Sequence, residues 1–230
     1  MKGTLLEKIE HSKSILREAV SNHPRIAVAC SFGKDSMVIL HLALQVKPDV
    51  EVFFVSTPMK PKETLEYAEH IQKLWNLNLR VHTSKQKPIE DLWRKDPNKC
   101  CEVFKVEPTK RALEELDAWI TGLRKTEGRT RTDYEVFEPC GSALTRIPGK
   151  EILTSLMKVN PILDWTELDI WRYLAINNIP VNPMYQKGYR SLGCEPCTKL
   201  VRDTETERAG RWIGTSKCGG ECGIHTMHKK

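Results

Sequence analysis

Long hydrophobic runs are absent from this sequence. No stretch of about 18 apolar residues appears, and the N-terminal segment MKGTLLEKIEHSKSILREAV interleaves charged and apolar residues, where a signal peptide would need an unbroken apolar stretch. Internal repeats and low-complexity segments are also missing. These absences exclude a membrane-spanning protein and a repeat protein, and we expect a cytoplasmic protein with no membrane partner.

A large excess of one charge is absent as well. The 36 lysines and arginines exceed the 30 aspartates and glutamates by six, which gives a net charge of +6. Because the basic residues are dispersed, the charge predicts no nucleic-acid partner, and it suits a small anionic substrate equally well. The 230 residues, 40% of them hydrophobic, are enough for one buried core.

Cysteine is abundant by contrast. Eight cysteines are many for a reducing compartment, where thiols usually survive as metal ligands or reactive groups. They comprise an adjacent pair, a CxxC, two residues near the end and two isolated residues, namely Cys100 and Cys101, Cys194 and Cys197, Cys218 and Cys222, and Cys30 and Cys140. Cys30 ends a predicted strand and is interpreted as a core residue, and no role is assigned to Cys140.

Short apolar segments alternate with amphipathic helices through the first half of the chain. The predicted strands are 26–30, 51–57, 77–83 and 118–123, and helices are predicted over 4–20, 37–46, 62–75 and 100–117, apart from Pro108. The alternation predicts an α/β fold, with a doubly wound, mainly parallel sheet and helices on both faces.

The remainder of the chain is less regular. We expect shorter strands and a Pro148-Gly149 turn within 134–160, and a helix over 166–178 that is capped by Asp164 or Thr166. Periodicity then fades and glycine, proline and cysteine dominate. We therefore divide the chain into a domain, residues 1–200, and a mobile C-terminal arm, residues 201–230.

A polar loop, Ser31-Phe32-Gly33-Lys34-Asp35-Ser36, follows the first predicted strand. In a doubly wound sheet, ligands bind at the carboxyl ends of strands, and a glycine-containing turn into a helix offers backbone N–H groups to an anion. The spacing differs from that of a Walker loop, so a P-loop nucleotide hydrolase fits poorly. The plain alternative is a polar turn with a helix cap.

The paired cysteines predict a metal centre. Cys194-Glu195-Pro196-Cys197 is a two-ligand hairpin of the kind found in zinc and iron-sulfur sites, and it needs two more ligands. Cys100 and Cys101 are the obvious supply, although neighbouring side chains normally point apart and joint ligation requires a distorted backbone. Spacing alone leaves zinc and iron-sulfur both open.

An ordered series of segments resembles one known family. The loop SFGKDS is similar to the SGGKDS loop of the adenine-nucleotide alpha hydrolases (the PP-loop superfamily), with Phe32 where the first glycine usually lies. Five further segments resemble those of assimilatory adenylyl-sulfate reductases: CCEVFKVEP at 100–108, VNPILDWT at 159–166, NPMY through SLGCEPCT at 182–198, ERAGRW at 207–212 and ECGIH at 221–225. The resemblance covers about residues 26–225.

The resemblance implies a chemistry as well as a fold. It implies that residues 1–200 form the reductase domain, that Cys222 attacks adenosine 5'-phosphosulfate to give an S-sulfonate, and that His225 assists. A thioredoxin or glutaredoxin-like reductant would then release sulfite, and the enzyme is expected to be a homo-oligomer. It also implies a [4Fe-4S] cluster held by Cys100, Cys101, Cys194 and Cys197, with Lys105 between cluster and substrate.

The resemblance further assigns residues to the substrate. The expected contacts are the loop residues Ser31, Phe32, Gly33, Lys34, Asp35 and Ser36, the basic residues Arg124 and Arg131 of a segment that also contains Arg129, and Arg208 and Arg211, which fall one helical turn apart. Each arginine taken alone is also compatible with a solvated surface position.

Three departures and several alternatives remain. Cys218 lies four residues before Cys222 and is interpreted as a resolving thiol, as a partner in a protective disulfide or as an incidental exposed residue. Residues 55–58, VSTP, replace a DTG-like loop, and residues 138–153 match no family pattern.

Three other functions compete with this interpretation. They are a reductase of the 3'-phosphorylated substrate, a PP-loop ATP pyrophosphatase of the ATP sulfurylase or tRNA thiolation type, and a non-catalytic zinc module. A zinc site formed by Cys218, Cys222, His225 and His228 ranks low.

Overall fold

The strands and helices are placed by a computed structural model, which describes residues 3–147, 150–218 and 220–226. The strands are β1 Ile26–Ala29, β2 Glu51–Val55, β3 Leu79–His82, β4 Ala118–Ile120, β5 Phe137–Ile147 and β6 Lys150–Val159. The α-helices are α1 Leu5–Asn22, α2 Lys34–Val46, α3 Lys62–Leu74, α4 Leu92–Lys95, α5 Pro97–Cys101, α6 Glu107–Leu113, α7 Glu167–Ile176 and α8 Gly223–Thr226. A π-helix, Glu102–Val106, joins α5 to α6.

The six strands form one sheet in the order β3-β2-β1-β4-β6-β5. Every neighbouring pair is parallel except β5 and β6, which are antiparallel. The chain moves from β1 outward through β2 and β3, and then returns to place β4 on the other side of β1. The carboxyl ends of β1 and β4 therefore flank a topological switch point, where ligands bind in sheets of this kind.

Helices cover both faces because the strands expose apolar side chains on both. Ile26 and Val28 of β1 pack into a core with α1, α2, α3 and α7. Ala27 points to the opposite face, where Trp119 of β4 packs against residues of α6. Both layers confirm the predicted α/β fold class.

The two isolated cysteines lie in these layers. Cys30 is buried under the loop that follows β1, and burial raises the pKa of its thiol to about 11. Cys140 lies in the second layer and accepts a hydrogen bond from Trp119 Nε1 at 3.3 Å. Cys30 is thus a core residue, as expected, and Cys140 is part of the second core layer.

Helix α7 begins where the sequence predicts. Thr166 is its N-cap, and Thr166 and Asp169 form a reciprocal capping box. Asp169 also receives the Lys8 ammonium group at 2.6 Å, which ties α1 to α7 across the core. Of the two predicted caps, Thr166 is the correct one.

Two predictions about elements are wrong. Residues 134–160 contain two long strands, β5 and β6, rather than several short ones, and the predicted Pro148-Gly149 turn lies outside the described residues. Pro108 does not interrupt the helical segment, because it occupies the first turn of α6, where its missing N–H group is tolerated. Within the described part of the chain, no helix is both long and apolar enough to cross a membrane.

Candidate active site

The loop after β1 is held by its own serine. Ser36 Oγ accepts a hydrogen bond from the Gly33 N–H at 3.1 Å and donates to the Gly33 carbonyl at 2.9 Å. The hydroxyl also lies 3.2 Å from Ser31 Oγ. The backbone is therefore folded before any ligand arrives.

Phe32 occupies a backbone conformation that favours glycine. Its φ is +59°, in the left-handed region that glycine adopts most readily, and the similar SGGKDS loop has glycine at this position. The Phe32 ring is completely buried and packs edge-to-face on Phe54 and Tyr67, with centroids 5.2 and 6.3 Å apart. Phe32 thus anchors the loop in the core and does not line the cavity.

Replacement of Phe32 by glycine is expected to destabilise the protein by about 2–4 kcal/mol. Removing a buried aromatic ring costs about 3–5 kcal/mol, and relief of the left-handed backbone returns about 1 kcal/mol. Urea unfolding measures the difference. Asn76→Gly is the matched control, since Asn76 has φ +47° but is exposed, and it should be neutral or slightly stabilising. A Phe32→Gly variant as stable as wild type would show that the ring contributes nothing.

Lys34 and Arg124 form a buried ionic cluster with Asp35 and Glu207. Lys34 Nζ lies 2.7 Å from Glu207, Arg124 Nη2 lies 2.7 Å from Glu207, and Arg124 Nε lies 2.6 Å from Asp35. Burial alone would raise the pKa of Asp35, but the charges of Lys34 and Arg124 hold it below its usual range. The Lys34 N–H donates to the Tyr185 hydroxyl at 2.7 Å. Both cations therefore face protein carboxylates, and the substrate contact expected for them stays a prediction.

The arm is fixed by a second ionic cluster around Glu221, the residue before Cys222. Arg131 Nε and Arg208 Nη2 each lie 2.7 Å from the Glu221 carboxylate, and Arg131 also pairs with Glu127. Although burial raises the pKa of Glu221, the hydrogen bond and charge of Arg131 lower it far more. Two of the arginines expected to hold substrate hold the arm in this structure.

Neutralising Glu221 is expected to loosen the arm. Removing one charge from a buried network costs about 3–5 kcal/mol, because its arginine partners stay buried and unpaired. In Glu221→Gln we expect Cys222 to react with a bulky alkylating reagent about tenfold faster or more, through local opening.

Glu205→Gln is the matched control for this experiment, because Glu205 lies in the same arm but is exposed. Its alkylation rate should equal that of wild type. Equal rates in wild type and Glu221→Gln would show that the arginine contacts do not hold the arm.

Three cations near Cys222 have no carboxylate partner within 4.0 Å among the described residues: Lys60, Lys105 and Arg211. Burial lowers the pKa of Lys60 to about 8, and the charge of Lys105 adds to this effect. For Lys105, burial lowers the pKa, but the thiolates of Cys194 and Cys222 raise it more strongly. The result is a local positive excess at one end of the site.

Arg211 is packed rather than paired. Its guanidinium lies 4.6 Å from the centre of the Trp212 ring and donates to the Leu192 carbonyl at 2.7 Å. A Cβ atom at Gly193 would lie 2.3 Å from the Arg211 guanidinium, so this position requires glycine. The Nε atom is buried and lacks a hydrogen-bond partner within the described structure.

His225, like Arg211, has a buried side-chain nitrogen without a hydrogen-bond partner among the described residues. The carbonyl of His225 accepts from the Tyr134 hydroxyl at 2.9 Å, which fixes helix α8, whereas Nδ1 is buried without a hydrogen-bond partner among the described residues. Burial, followed by the charges of Arg131 and Lys158, lowers the pKa of His225 well below its usual value. The imidazole is therefore neutral near pH 7.

These groups line one cavity of about 190 Å³ at the carboxyl ends of β1, β2 and β4. Its polar end holds Cys222, His225 and the three unmatched cations, and Phe53, Phe54 and Trp119 form an apolar wall. Seven of the predicted substrate residues line the cavity: Ser31, Gly33, Asp35, Ser36, Arg131, Arg208 and Arg211. Phe32, Lys34 and Arg124 support the lining from behind. The side chain of Arg129 and all of His228 lie outside the described residues.

The four paired cysteines converge beside this cavity. Cys100, Cys101, Cys194 and Cys197 are buried free thiols that line one small pocket together with Trp93 and Trp212. Cys100 and Cys101 end the α-helix α5, and a π-helix starts directly after them, whereas Cys101 itself keeps an α-helical backbone. Thr57 Oγ1 lies 3.3 Å from Cys194 Sγ, as a hydroxyl that supports a thiolate would.

The four cysteines form one ligand set. All four are buried free thiols and line the same pocket. Thiolates are ligands of both zinc and iron-sulfur centres, so this group of residues could bind a metal centre.

Lys60 is the functional candidate that sequence reasoning missed. It lies just beyond residues 55–58, in the loop after β2 that departs from the family pattern. The signal that could have found it is its position, because the loop follows the carboxyl end of a strand next to β1.

Comparison with known proteins assigns the fold and the family. Residues 25–200 match the model of the phosphoadenosine phosphosulfate reductase domain. The adenosine 5'-phosphosulfate reductase of Lysinibacillus sphaericus is 36% identical over 87% of this chain and 84% of that protein, and adenosine 5'-phosphosulfate reductase 1 of Bacillus subtilis is 34% identical over 92% and 89%. The crystal structure of phosphoadenylyl-sulfate reductase from Candida auris, a phosphate complex, shares the fold at 24% identity, with a TM-score of 0.66 over 83% of this chain and 90% of that one. The chain thus belongs to the phosphoadenosine phosphosulfate reductase family.

Proposed function

We propose that this protein reduces adenosine 5'-phosphosulfate to sulfite and AMP in assimilatory sulfate reduction, through an S-sulfonate on Cys222. One observation carries the proposal: Cys222 lines a cavity of about 190 Å³ at the switch point of the sheet, together with three cations that have no carboxylate partner among the described residues. An anionic substrate would supply the missing negative charge. The names of the curated relatives support adenosine 5'-phosphosulfate as that substrate.

The reaction has two balanced steps. The Cys222 thiolate attacks the sulfuryl sulfur, the bond from sulfur to the bridging oxygen breaks, and AMP leaves with the electron pair. A thiolate of a dithiol reductant then attacks Cys222 Sγ, forms a mixed disulfide and expels sulfite. The second thiol of the reductant resolves the mixed disulfide, so the reductant is oxidised and Cys222 is restored.

Protein side chains have separate parts in this scheme. Lys105 and Arg211 would contact the phosphosulfate, and the neutral imidazole of His225 would offer its free Nδ1 to the same anion or to the thiol proton. Closure of the arm by Glu221 would bring Cys222 to the substrate and exclude water. The adenosine would lie along the wall that includes Phe54 and Trp119.

The four converging cysteines fit a [4Fe-4S] cluster. Cys100, Cys101, Cys194 and Cys197 would bind it, because all four are buried thiols that line one pocket. When bound, such a cluster supplies a fixed charge beside the substrate and ties the CxxC hairpin to α5.

The rival functions have less support. An ATP pyrophosphatase would need a place for a divalent cation near the phosphates. Asp35, Glu127 and Glu207 do lie within 4.8 Å of one another, but Lys34, Arg124 and Arg131 already face them. Nor does that function use the thiol of Cys222. A zinc module would use neither the cavity nor the arm.

The partner and the compartment follow from the thiol chemistry. Step two requires a thioredoxin or glutaredoxin-like dithiol, and all eight cysteines are free thiols, as in the reducing cytoplasm where we expect the enzyme to act. Cys218 is exposed, whereas Cys222 is half-buried. If Cys218 protects Cys222 by a disulfide, mass spectrometry of the oxidised protein will show that link.

The proposal is tested with anaerobically purified protein and a dithiol reductant. Adenosine 5'-phosphosulfate should yield equal amounts of AMP and sulfite. The 3'-phosphorylated substrate should react more slowly, and ATP should release no pyrophosphate. Pyrophosphate release without sulfite would establish the ATP pyrophosphatase instead.

A further inference from the structure

Lys60 lines the cavity from the loop between β2 and α3, outside the segments that resemble the family. We propose that Lys60 is a further catalytic residue, whose ammonium group contacts the sulfuryl oxygens while the sulfuryl group passes from the phosphate to Cys222. The inference rests on the proposed function and adds a substrate contact to it.

Backbone hydrogen bonds hold the loop that carries Lys60. The Glu195 N–H donates to the Met59 carbonyl at 2.8 Å, and the Lys60 N–H donates to the Thr57 carbonyl at 3.1 Å. Prolines at positions 58 and 61 flank the segment and limit its backbone freedom. The CxxC hairpin and the Lys60 loop are therefore joined through their backbones, beside the cavity that Lys60 lines.

The charge of Lys60 has no counter-ion in the described structure. Its ammonium group lies 5.4 Å from the centre of the Phe54 ring and forms no ion pair. Four other basic residues near the cavity differ, because Lys34, Arg124, Arg131 and Arg208 each face a buried carboxylate. A half-buried, unpaired cation is costly to maintain, and an anionic ligand offsets that cost.

The position of this charge suits group transfer. Lys60 lines the same cavity as Cys222, Lys105 and Arg211, so its ammonium group shares the site with the nucleophilic thiol. During transfer, the thiolate and the doubly negative phosphosulfate approach one another, and negative charge moves onto the AMP phosphate. A fixed cation beside the sulfuryl oxygens reduces this repulsion most where the groups are closest.

The test is single-turnover formation of the Cys222 S-sulfonate, followed by intact mass, in wild type, Lys60→Met and Lys60→Arg. We expect Lys60→Met to slow the reaction by about 10²-fold, the scale for loss of one preorganised donor, and Lys60→Arg to recover part of the rate. AMP lacks the sulfuryl group, so its dissociation constant should change by less than about twofold. Lys62→Met is the matched control, because Lys62 is 85% exposed.

Two results would overturn the inference. One is S-sulfonate formation at the wild-type rate in Lys60→Met. The other is a Lys60→Met variant that binds AMP more weakly and has a lower Tm, but forms the S-sulfonate at an unchanged rate when substrate is saturating. That result would assign Lys60 a structural role. A wild-type protein that forms no S-sulfonate would contradict the proposed function itself, and the inference would fail with it.

Discussion

Replacement of Cys222 by serine is expected to lower sulfite formation by about 10³-fold or more, the scale on which removal of a nucleophile acts. Serine keeps the size of the side chain, and the Glu221 cluster should still hold the arm in place. A hydroxyl is not ionised near pH 7 and cannot accept the sulfuryl group at a useful rate. Incubation with adenosine 5'-phosphosulfate, without reductant, should therefore add one SO₃ mass to wild type and nothing to Cys222→Ser.

Cys218→Ser provides the matched control, because it removes an exposed thiol four residues away in the same arm. It should acquire the SO₃ mass at the wild-type rate. Binding of AMP should be the same in both variants, since neither change touches the apolar wall. An adduct that persists in Cys222→Ser and disappears in Cys218→Ser would exchange the roles of the two cysteines.

The strands and helices of the sheet could be predicted because burial leaves a periodic trace in the sequence. The apolar segments at 26–30 and 118–123 became β1 and β4, and the helices between strands appear near their predicted bounds. The hairpin of β5 and β6 escaped detection for a local reason. A register shift between Pro139 and Ser142, with Gly141 at φ +103°, breaks the two-residue period of β5.

The charges of the site could not be predicted in the same way. A sequence shows that a residue is basic, but not which carboxylate it meets. Lys34 meets Glu207 from a distant part of the chain, and Arg131 likewise meets Glu221. The prediction that all these cations bind substrate did not consider such pairs, and it overlooked Lys60, which has no carboxylate partner among the described residues. Tertiary pairing therefore separates the basic residues that face carboxylates from those that do not.

The convergence of the four cysteines was easier to predict than their local geometry. Two pairs of cysteines imply a shared centre wherever the fold brings them together, so counting was enough to propose it. The fold brings all four to one pocket. The π-helix after Cys101 was not predicted, because such segments are rare and mostly single-turn insertions in α-helices.

Replacement of Cys194 by serine is expected to remove the visible absorption and the bound iron of anaerobically purified protein. Cys194 is buried, receives the Thr57 hydroxyl and begins the hairpin that positions the Lys60 loop, so loss of its ligand bond should disturb the cluster and the cavity together. Metal binding contributes to folding free energy, and each kcal/mol lost should lower the Tm by about 2–4 °C in a chain of this size. Iron analysis, absorption spectra and thermal unfolding measure these effects.

Cys140→Ser is the matched control for Cys194→Ser, because Cys140 is equally buried but lies in the core under Trp119, away from the other cysteines. It should retain full iron content and visible absorption, with only a modest change in Tm. Zinc in place of iron in the wild-type protein would contradict the cluster, and so would equal iron content in both variants. Loss of iron in Cys194→Ser alone would establish that the CxxC hairpin holds the metal centre and that the loop bearing Lys60 is built upon it.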